Sequence, residues 1–297
     1  MPATRVVNIT MPVFNRPELT LRTIESVARL TDHPLVLTVV DNGSDADLAA
    51  RLLELHAAGA IHKLFTFTRN MGVASAVNLG WQRTEAAYYL KLDNDIEILR
   101  PDWLSQLVET ADAVPEVGVV AYRFVQEKLC RAARTADGRN LLLTSGCNGA
   151  CVLVRRDVRE RLGYFCEDYG MYGEEDADFG YRIQLAGLLN AYLSDEGMVR
   201  QQSEPAAVRR YDHLKRRTTR QANFLRFLTN KHCYREGIRP LRVERKFESV
   251  PGVDGRYTQR TDKTYLRLSR EWAAHTAAVR SANEGLLRDF ANGLALA

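Results

Sequence analysis

The sequence predicts an α/β protein built on a mostly parallel sheet that is flanked by helices and followed by a largely helical C-terminal extension. Two observations support this fold class. Apolar segments with strand character alternate with amphipathic segments along the first third of the chain, and each strand segment ends in polar, turn-prone residues. Strands that alternate with helices are connected as right-handed βαβ units, which places them parallel to one another in one sheet.

The first predicted strands are Val6–Met11, Val36–Val40, Leu64–Thr68 and Tyr88–Leu92. The helices between them are a stretch from Pro17 to about Ala28, then Asp47–His56 and Val73–Arg83. The strands are followed by the polar clusters Asn15-Arg16, Asp41-Asn42, Arg69-Asn70 and Asp93-Asn94-Asp95. Because ligands bind outside the carboxyl ends of parallel strands, we expect these clusters to converge on one binding edge.

The rest of the chain continues the pattern and then changes character. Its predicted elements are the helix Trp103–Ala113, the strands Val117–Tyr122 and Ala150–Val154, the helix Phe179–Leu185, an irregular segment Lys246–Arg260 and the helix Tyr265–Phe290. This change predicts two parts, an α/β domain over residues 1–200 and a basic, mainly helical region over residues 201–297.

Acidic residues stand in two places where their charge needs an explanation. Asp93 and Asp95 follow a buried strand, where an ionised carboxylate is costly unless it is paired, bound to a metal or exposed to open water. A second cluster stands where the Phe179–Leu185 helix would begin, and it contains Glu174, Glu175, Asp176 and Asp178. The helix dipole favours acids there, but four acids in five residues exceed what capping requires.

The composition is that of an ordinary globular protein, with 45% hydrophobic and 26% charged residues. No apolar run approaches the length of a membrane span, and the N-terminal residues lack the layout of a signal peptide. The five cysteines match no zinc or disulfide spacing, and burial is the better explanation of Cys147 and Cys151. These features predict reduced thiols in a cytoplasmic protein.

Positive charge is concentrated near the C-terminus. Residues Arg200–Lys246 contain 14 Lys and Arg against 4 Asp and Glu, which makes this segment +10 in a chain of net charge +4. A basic segment suggests an anionic partner, such as an acidic membrane surface at the inner face, while a solvated helical face explains it equally well.

Six segments in a fixed order carry a resemblance to a known family. They read VVNITMPVFNRPELTLRTIESV, VVDNGSD, RNMGVASAVNLG, LDNDIEI, NGACVLVRRD and GEEDADFGYRIQLAG. A lone Asp-x-Asp is common by chance, whereas six such segments on an alternating sheet form a specific signal. From about residue 5 to about residue 230 the chain resembles the nucleotide-sugar-dependent glycosyltransferases of family 2, which have the GT-A fold.

The resemblance implies an inverting hexosyl transfer from a nucleoside-diphosphate sugar, with a UDP-sugar favoured, to a hydroxyl of a glycan or lipid-linked acceptor. It implies a Mn²⁺ or Mg²⁺ ion that neutralises the departing diphosphate, and carboxylate oxygens suit either ion. Asp95 would be the direct metal ligand, with Asp93 near the ribose and the metal. His213 stands where many relatives have a histidine that touches the metal or the diphosphate, and a surface position is an equal alternative.

The resemblance also assigns residues to the nucleotide and to the acceptor. The base would be held by Pro12, Phe14, Asn15 and Asp41, and the nucleotide would be flanked by Arg69, Asn70 and Gly72. Phe14 could stack on the base or pack in the core, and Gly72 could allow a close approach of the ligand or form a turn. The general base maps to Asp176, with Glu175 as its rival because the extra Glu174 blurs the register.

The chain departs from the family pattern at two points. It has no Gln-x-x-Arg-Trp segment, since VRQQSE lacks the Trp, and with no membrane helix this argues against a processive polysaccharide synthase. Asp41-Asn42 stands where many relatives have Asp-Asp, which leaves the nucleotide open.

Two other functions compete with sugar transfer. A sugar-1-phosphate nucleotidyltransferase would have a Gly-rich basic loop after the first strand, and PVFNRPE is not such a loop. A non-catalytic module could use the basic segment to bind nucleic acid, but no nucleic-acid motif accompanies the charge, so no nucleic-acid partner is expected.

Overall fold

The computed structural model describes residues 5–124, 130–146, 149–193, 197–202 and 217–295. The strands of its main sheet are β1 (Val7–Val13), β2 (Leu35–Asp41), β3 (Lys63–Thr66), β4 (Tyr88–Leu92), β6 (Val117–Tyr122), β7 (Arg131–Arg134), β8 (Asn140–Thr144), β9 (Cys151–Arg155) and β10 (Leu189–Leu193). Two smaller sheets pair β5 (Ile96–Ile98) with β11 (Val199–Gln201), and β12 (Phe247–Pro251) with β13 (Tyr257–Thr261). The described main sheet is nine-stranded, in the order β3-β2-β1-β4-β9-β6-β10-β8-β7.

Helices cover both faces of this sheet. They are α1 (Pro17–Arg29), α2 (Ala46–Ala57), α3 (Val73–Arg83), α4 (Trp103–Ala113), α5 (Arg156–Leu162), α6 (Glu175–Leu185), α7 (Arg217–Arg235) and α8 (Lys263–Ala295). A short 3₁₀ helix, Glu167–Tyr169, precedes α6. The predicted helices and strands are present with shifts of up to five residues at their ends; α6, for example, begins four residues before the predicted Phe179.

The predicted parallel arrangement is confirmed in the part of the sheet that begins the chain. β1 pairs in parallel with β2 and with β4, and β2 pairs in parallel with β3. The carboxyl ends of these four strands therefore lie along one edge of the sheet. Beyond β4, the strand β9 runs antiparallel to both β4 and β6, so the rest of the sheet is mixed.

The core lies on both faces of the sheet, and β4 shows how its residues are divided. Leu90 and Leu92 belong to the hydrophobic cluster beneath α1 and α4, whereas Tyr89 belongs to the cluster around Trp81, on the side of α3, α5 and α6. Side chains alternate across a strand, so Lys91 lies on the same face as Tyr89. A lysine is thus directed into the layer that carries α6.

The expectation of an irregular segment at Lys246–Arg260 was wrong. Residues in this range form the antiparallel hairpin of β12 and β13, in which Phe247 lies opposite Thr261. Tyr257 of the hairpin accepts a hydrogen bond at its carbonyl from the N–H of Thr68, 3.0 Å away, and packs edge-on against Phe65. The hairpin is therefore held at the β3 edge by tertiary contacts that its local Gly and Pro residues do not reveal.

The C-terminal region packs on the sheet domain through α7, which contacts α6 and α8. The boundary at residue 200 stays a prediction. None of the described helices is both long enough and apolar enough to cross a bilayer. The described cysteines, Cys130, Cys151, Cys166 and Cys233, are free thiols, and Cys151 is buried as expected, while Cys147 lies outside the described residues.

Candidate active site

A cleft of about 780 Å³ opens at the carboxyl ends of β1 and β4 and is closed on its other side by the start of α6. Several predicted site residues line it: Pro12, Phe14, Asn70, Asp93, Asp95, Glu175 and Asp176. The fold thus brings the Asp-x-Asp segment and the acidic start of α6 to one cavity, although they are far apart in the sequence.

Other predicted nucleotide-binding residues support the cleft from behind instead of lining it. The side-chain oxygen of Asn15 accepts a hydrogen bond from the N–H of Asp45 at 2.8 Å. Asp41 accepts one from the N–H of Ser44 at 2.9 Å, and burial raises the pKa of this Asp41 carboxyl. Arg69 is exposed, and His213 lies outside the described residues.

Gly72 and Asn42 hold the loop between β3 and α3 in place. Gly72 has a φ of +92°, and a Cβ at this position would lie 2.2 Å from the carbonyl oxygen of Gly170. Asn42 donates to the Gly72 carbonyl at 3.1 Å and accepts from the N–H of Met71 at 2.8 Å. An aspartate could not donate the first of these bonds, which gives a physical reason for Asn at position 42. The structure therefore supports the turn interpretation of Gly72.

Asp95 of the acidic pair after β4 is paired with Arg16, which immediately precedes α1. Arg16 donates to Oδ2 of Asp95 at 3.1 Å from the residue that precedes α1, where it has a left-handed φ of 56°. The pKa of Asp95 is raised by burial and by the neighbouring charge of Asp93, and Arg16 partly lowers it. Asp93 and Asp95 thus lie close enough for their charges to act on one another.

These carboxylates fit a divalent cation. Oδ1 of Asp95 is buried and has no hydrogen-bond partner among the described residues. No group of three or more His, Cys, Asp or Glu side chains suited to a metal occurs in the described part of the chain. Mg²⁺ and similar ions are commonly held by one or two carboxylates together with substrate phosphates and water, so Asp93 and Asp95 are sufficient protein ligands for such a site.

The acids at the start of α6 divide into two kinds. Asp178 is fully buried and accepts hydrogen bonds from Arg182 at 2.7 Å and from the Tyr169 hydroxyl at 2.8 Å. Asp178 thus forms a buried ion pair with Arg182 and does not face the cleft. Glu174, Glu175 and Asp176 line the cleft instead, and Glu174 has a left-handed φ of 71° where the helix begins.

Glu175 and Asp176 are both shifted towards the protonated form. Burial, followed by the charge of Asp176, raises the pKa of Glu175 to about 7. Burial also raises the pKa of Asp176, and the charge of Lys91 opposes that rise. Arg182, on the same helix, is engaged with Asp178.

Sequence reasoning missed Lys91 and Gly149. Nζ of Lys91 lies 2.8 Å from Oδ1 of Asp93 and 3.9 Å from Oδ1 of Asp176, and it donates to the carbonyl of Gly149. The N–H of Gly149 in turn donates to Oδ2 of Asp176 at 3.1 Å. One signal was present in the sequence, since Lys91 is a charged residue inside the otherwise apolar strand Tyr88–Leu92.

Comparison with known proteins agrees with this geometry. The profile of glycosyl transferase family 2 matches residues 8–170. The chain is 28% identical over 211 residues to the O-antigen biosynthesis protein RfbC of Myxococcus xanthus. The aligned region covers 61% of this chain and 16% of that protein. It is 32% identical over 89 residues to an uncharacterized glycosyltransferase of Rickettsia bellii, and that aligned region covers 30% of this chain and 13% of that protein. The chain therefore spans only a small part of the length of these relatives.

Two solved structures share the fold. GalNAc-T7 with UDP, GalNAc and Mn²⁺ has a TM-score of 0.54 at 15% identity, over 67% of this chain and 44% of that chain. The mannosyltransferase PcManGT of Pyrobaculum calidifontis, in complex with GDP-Man and Mn²⁺, has a TM-score of 0.53 at 20% identity, over 98% of this chain and 80% of that chain. At such identity the likeness establishes the fold alone, and it confirms the predicted GT-A class.

Proposed function

The chain belongs to glycosyl transferase family 2, and on that premise we propose a metal-dependent, inverting transfer of a hexosyl group. The donor is a nucleoside-diphosphate sugar, and the acceptor is a hydroxyl of a glycan or a lipid-linked glycan. The observation that carries this proposal is the meeting of Asp93 and Asp95 with Glu175 and Asp176 in one cleft. An inverting transfer uses both kinds of group, carboxylates for a cation at the leaving group and a carboxylate for the acceptor proton.

Each carboxylate pair has a distinct role in this proposal. A Mn²⁺ or Mg²⁺ ion held by Asp95 and Asp93 would supply positive charge to the departing diphosphate. Asp176 accepts the proton of the acceptor hydroxyl at a carboxylate oxygen, while the N–H of Gly149 holds the other oxygen. Glu175, with a pKa raised to about 7, is the weaker candidate because it is buried, whereas Asp176 is only half-buried.

The nucleotide is placed at the β1 end of the cleft. Pro12, Phe14 and Asn70 line that end, and the half-buried Phe14 supplies an aromatic ring of the kind that stacks on a base. We favour a UDP-sugar as the donor. UDP is bound in one structural neighbour and GDP-Man in the other, so both nucleotides belong in a test.

The acceptor is proposed to be anionic, as a lipid-linked glycan is. Arg220 of α7 lines the cleft, and it provides a cation on the wall formed by the C-terminal region. The similarity to an O-antigen biosynthesis protein supports a place in surface-polysaccharide assembly. Peripheral contact of the basic segment with an anionic membrane belongs to the same proposal.

A donor-hydrolysis screen tests the function. The protein is incubated with UDP- and GDP-sugars in Mn²⁺ or Mg²⁺, with and without EDTA, and release of the nucleoside diphosphate is measured. We expect release from one donor class that EDTA abolishes. Pyrophosphate formation from a nucleoside triphosphate and a sugar 1-phosphate would instead indicate a nucleotidyltransferase. Absence of any turnover, with nucleic acid retained on the protein, would favour the binding module.

A further inference from the structure

Lys91 is buried in the centre of the site that the proposed function uses. Its side chain is 3% exposed, although it lies at the edge of the cleft and carries a charge. Burying an ammonium group is costly unless opposite charges and hydrogen bonds compensate. The carboxylates of Asp93 and Asp176 and the carbonyl of Gly149 supply that compensation.

The partners of this ammonium come from separate elements of the fold. Asp93 follows β4 and lies 2.8 Å from Nζ, Gly149 precedes β9 and accepts through its carbonyl, and Asp176 on α6 lies 3.9 Å away. The ammonium donates hydrogen bonds to Asp93 and to the Gly149 carbonyl, while Asp176 lies at ion-pair distance and is attracted by its charge. Lys91 thus connects the carboxylate proposed for the metal side with the carboxylate proposed as the base.

Gly149 completes the support of Asp176. Its N–H donates to Oδ2 of Asp176 at 3.1 Å, while its carbonyl accepts from Lys91. A Cβ on Gly149 would lie 2.0 Å from Oδ1 of Asp176, so the carboxylate is packed directly against the backbone. Lys91 and Gly149 therefore both contact the Asp176 carboxylate. Because Lys91 also donates to Gly149, a change at either residue affects the position of Asp176.

We infer that Lys91 is a positioning residue, whose ammonium holds Asp176 in place for proton abstraction and separates it from the carboxylates of the metal side. This inference rests on the proposed function. Without the ammonium, Asp93 and Asp176 would repel one another across the cleft. A fixed positive charge at this point keeps the base in position while a divalent cation is held by Asp93 and Asp95.

The test is a double-mutant cycle with Lys91→Met and Asp176→Asn, assayed for turnover with the donor found active for the wild type. Lys91→Met should reduce turnover by about 10²-fold, the lower end of the loss typical for a general base. The double variant should be no slower than Asp176→Asn alone, because residues that act through one another are non-additive. A structural role of Lys91 would instead give additive losses.

A binding readout accompanies the rates. In Lys91→Met, the dissociation constant for Mn²⁺, measured with nucleoside diphosphate bound, should stay within about three-fold of the wild-type value or be lower. The reason is that this substitution removes a cation beside Asp93. Lys91→Arg, which keeps the charge, should recover part of the lost turnover.

The inference is overturned if Lys91→Met keeps its turnover within about three-fold of the wild type, or if the losses in the double-mutant cycle are additive. It is also overturned if the nucleotide affinity of Lys91→Met falls by the same factor as its turnover. In each of these the wild type is active and the proposed function stands. A wild-type protein that turns over no nucleotide sugar overturns both.

Discussion

The N–H of Gly149 donates a hydrogen bond to Oδ2 of Asp176 at 3.1 Å, and a Cβ at position 149 would lie 2.0 Å from Oδ1 of the same carboxylate. Gly149→Ala must therefore displace Asp176. We expect turnover to fall by about 10²-fold, comparable to partial loss of a general base, with little change in nucleotide affinity. Gly146→Ala is the matched control, since a Cβ there has no neighbour within 4 Å among the residues that the structure describes. Equal turnover of the two variants would contradict the role of Gly149.

Removing the negative charge of Asp95, a proposed metal ligand, should lower both the nucleotide affinity and the turnover rate. Asp95→Asn keeps the size of a side chain that has a buried, unpartnered oxygen among the described residues, but it lowers the charge available to a cation. Turnover should fall by roughly 10²-fold or more, because a catalytic metal contributes several kcal/mol to charge stabilisation. Nucleotide affinity in Mn²⁺ should fall to the value measured in EDTA.

Calorimetric titration of UDP and GDP, with and without Mn²⁺, provides the measurement for Asp95→Asn. The exposed Asp47→Asn on α2 serves as the control and should bind as the wild type does. If Asp95→Asn retained the Mn²⁺-dependent gain in affinity, Asp95 would not be a metal ligand.

The general base can be distinguished from its neighbour by two isosteric substitutions. Asp176→Asn cannot accept a proton and should lose about 10²–10⁴-fold in turnover, while its donor affinity stays near that of the wild type. Glu175→Gln should be much less affected, since Glu175 is more buried than Asp176. Turnover and nucleotide dissociation constants are measured for both variants in parallel. The opposite result would assign the base to Glu175, and full activity of both would remove an inverting mechanism from this site.

Glu175 should make the stability of the protein depend on pH. Its pKa is raised from 4.5 to about 7 in the folded protein, mainly by burial. As pH rises from about 4.5 to about 7, the unfolded chain ionises Glu175 while the folded protein keeps it protonated, so this side chain reduces the free energy of unfolding across that window. Glu175→Gln removes the effect and should stabilise the protein at pH 8 by roughly 1–3 kcal/mol more than at pH 4.5.

Urea denaturation at both pH values, in EDTA, measures that difference. The exposed Glu85→Gln is the control, and its effect on stability should be small at both pH values. A gain for Glu175→Gln that shrinks as pH rises would show that the sign of the shift is wrong.

Local patterns in the sequence were sufficient for the first half of the fold. The apolar runs that became β1, β2, β3 and β4 alternate with amphipathic segments, and burial on both faces of a parallel strand produces such runs directly. The hairpin of β12 and β13 was missed because Ser249 is the one buried residue in its two strands, which therefore lack an apolar run, and contacts with Phe65 and Thr68 hold it in place.

The same division applies to the site. The sequence alone determined that Asp93 and Asp95 directly follow a strand and that acidic residues stand at the start of the helix carrying Asp176, since these are local features. Only the tertiary structure decided which acids face the cleft, because burial and partners are set by elements distant in sequence. Asp178 is neutralised by Arg182 and Asp176 is held by Lys91 and Gly149. The pKa of a carboxyl follows from those surroundings, which no local pattern records.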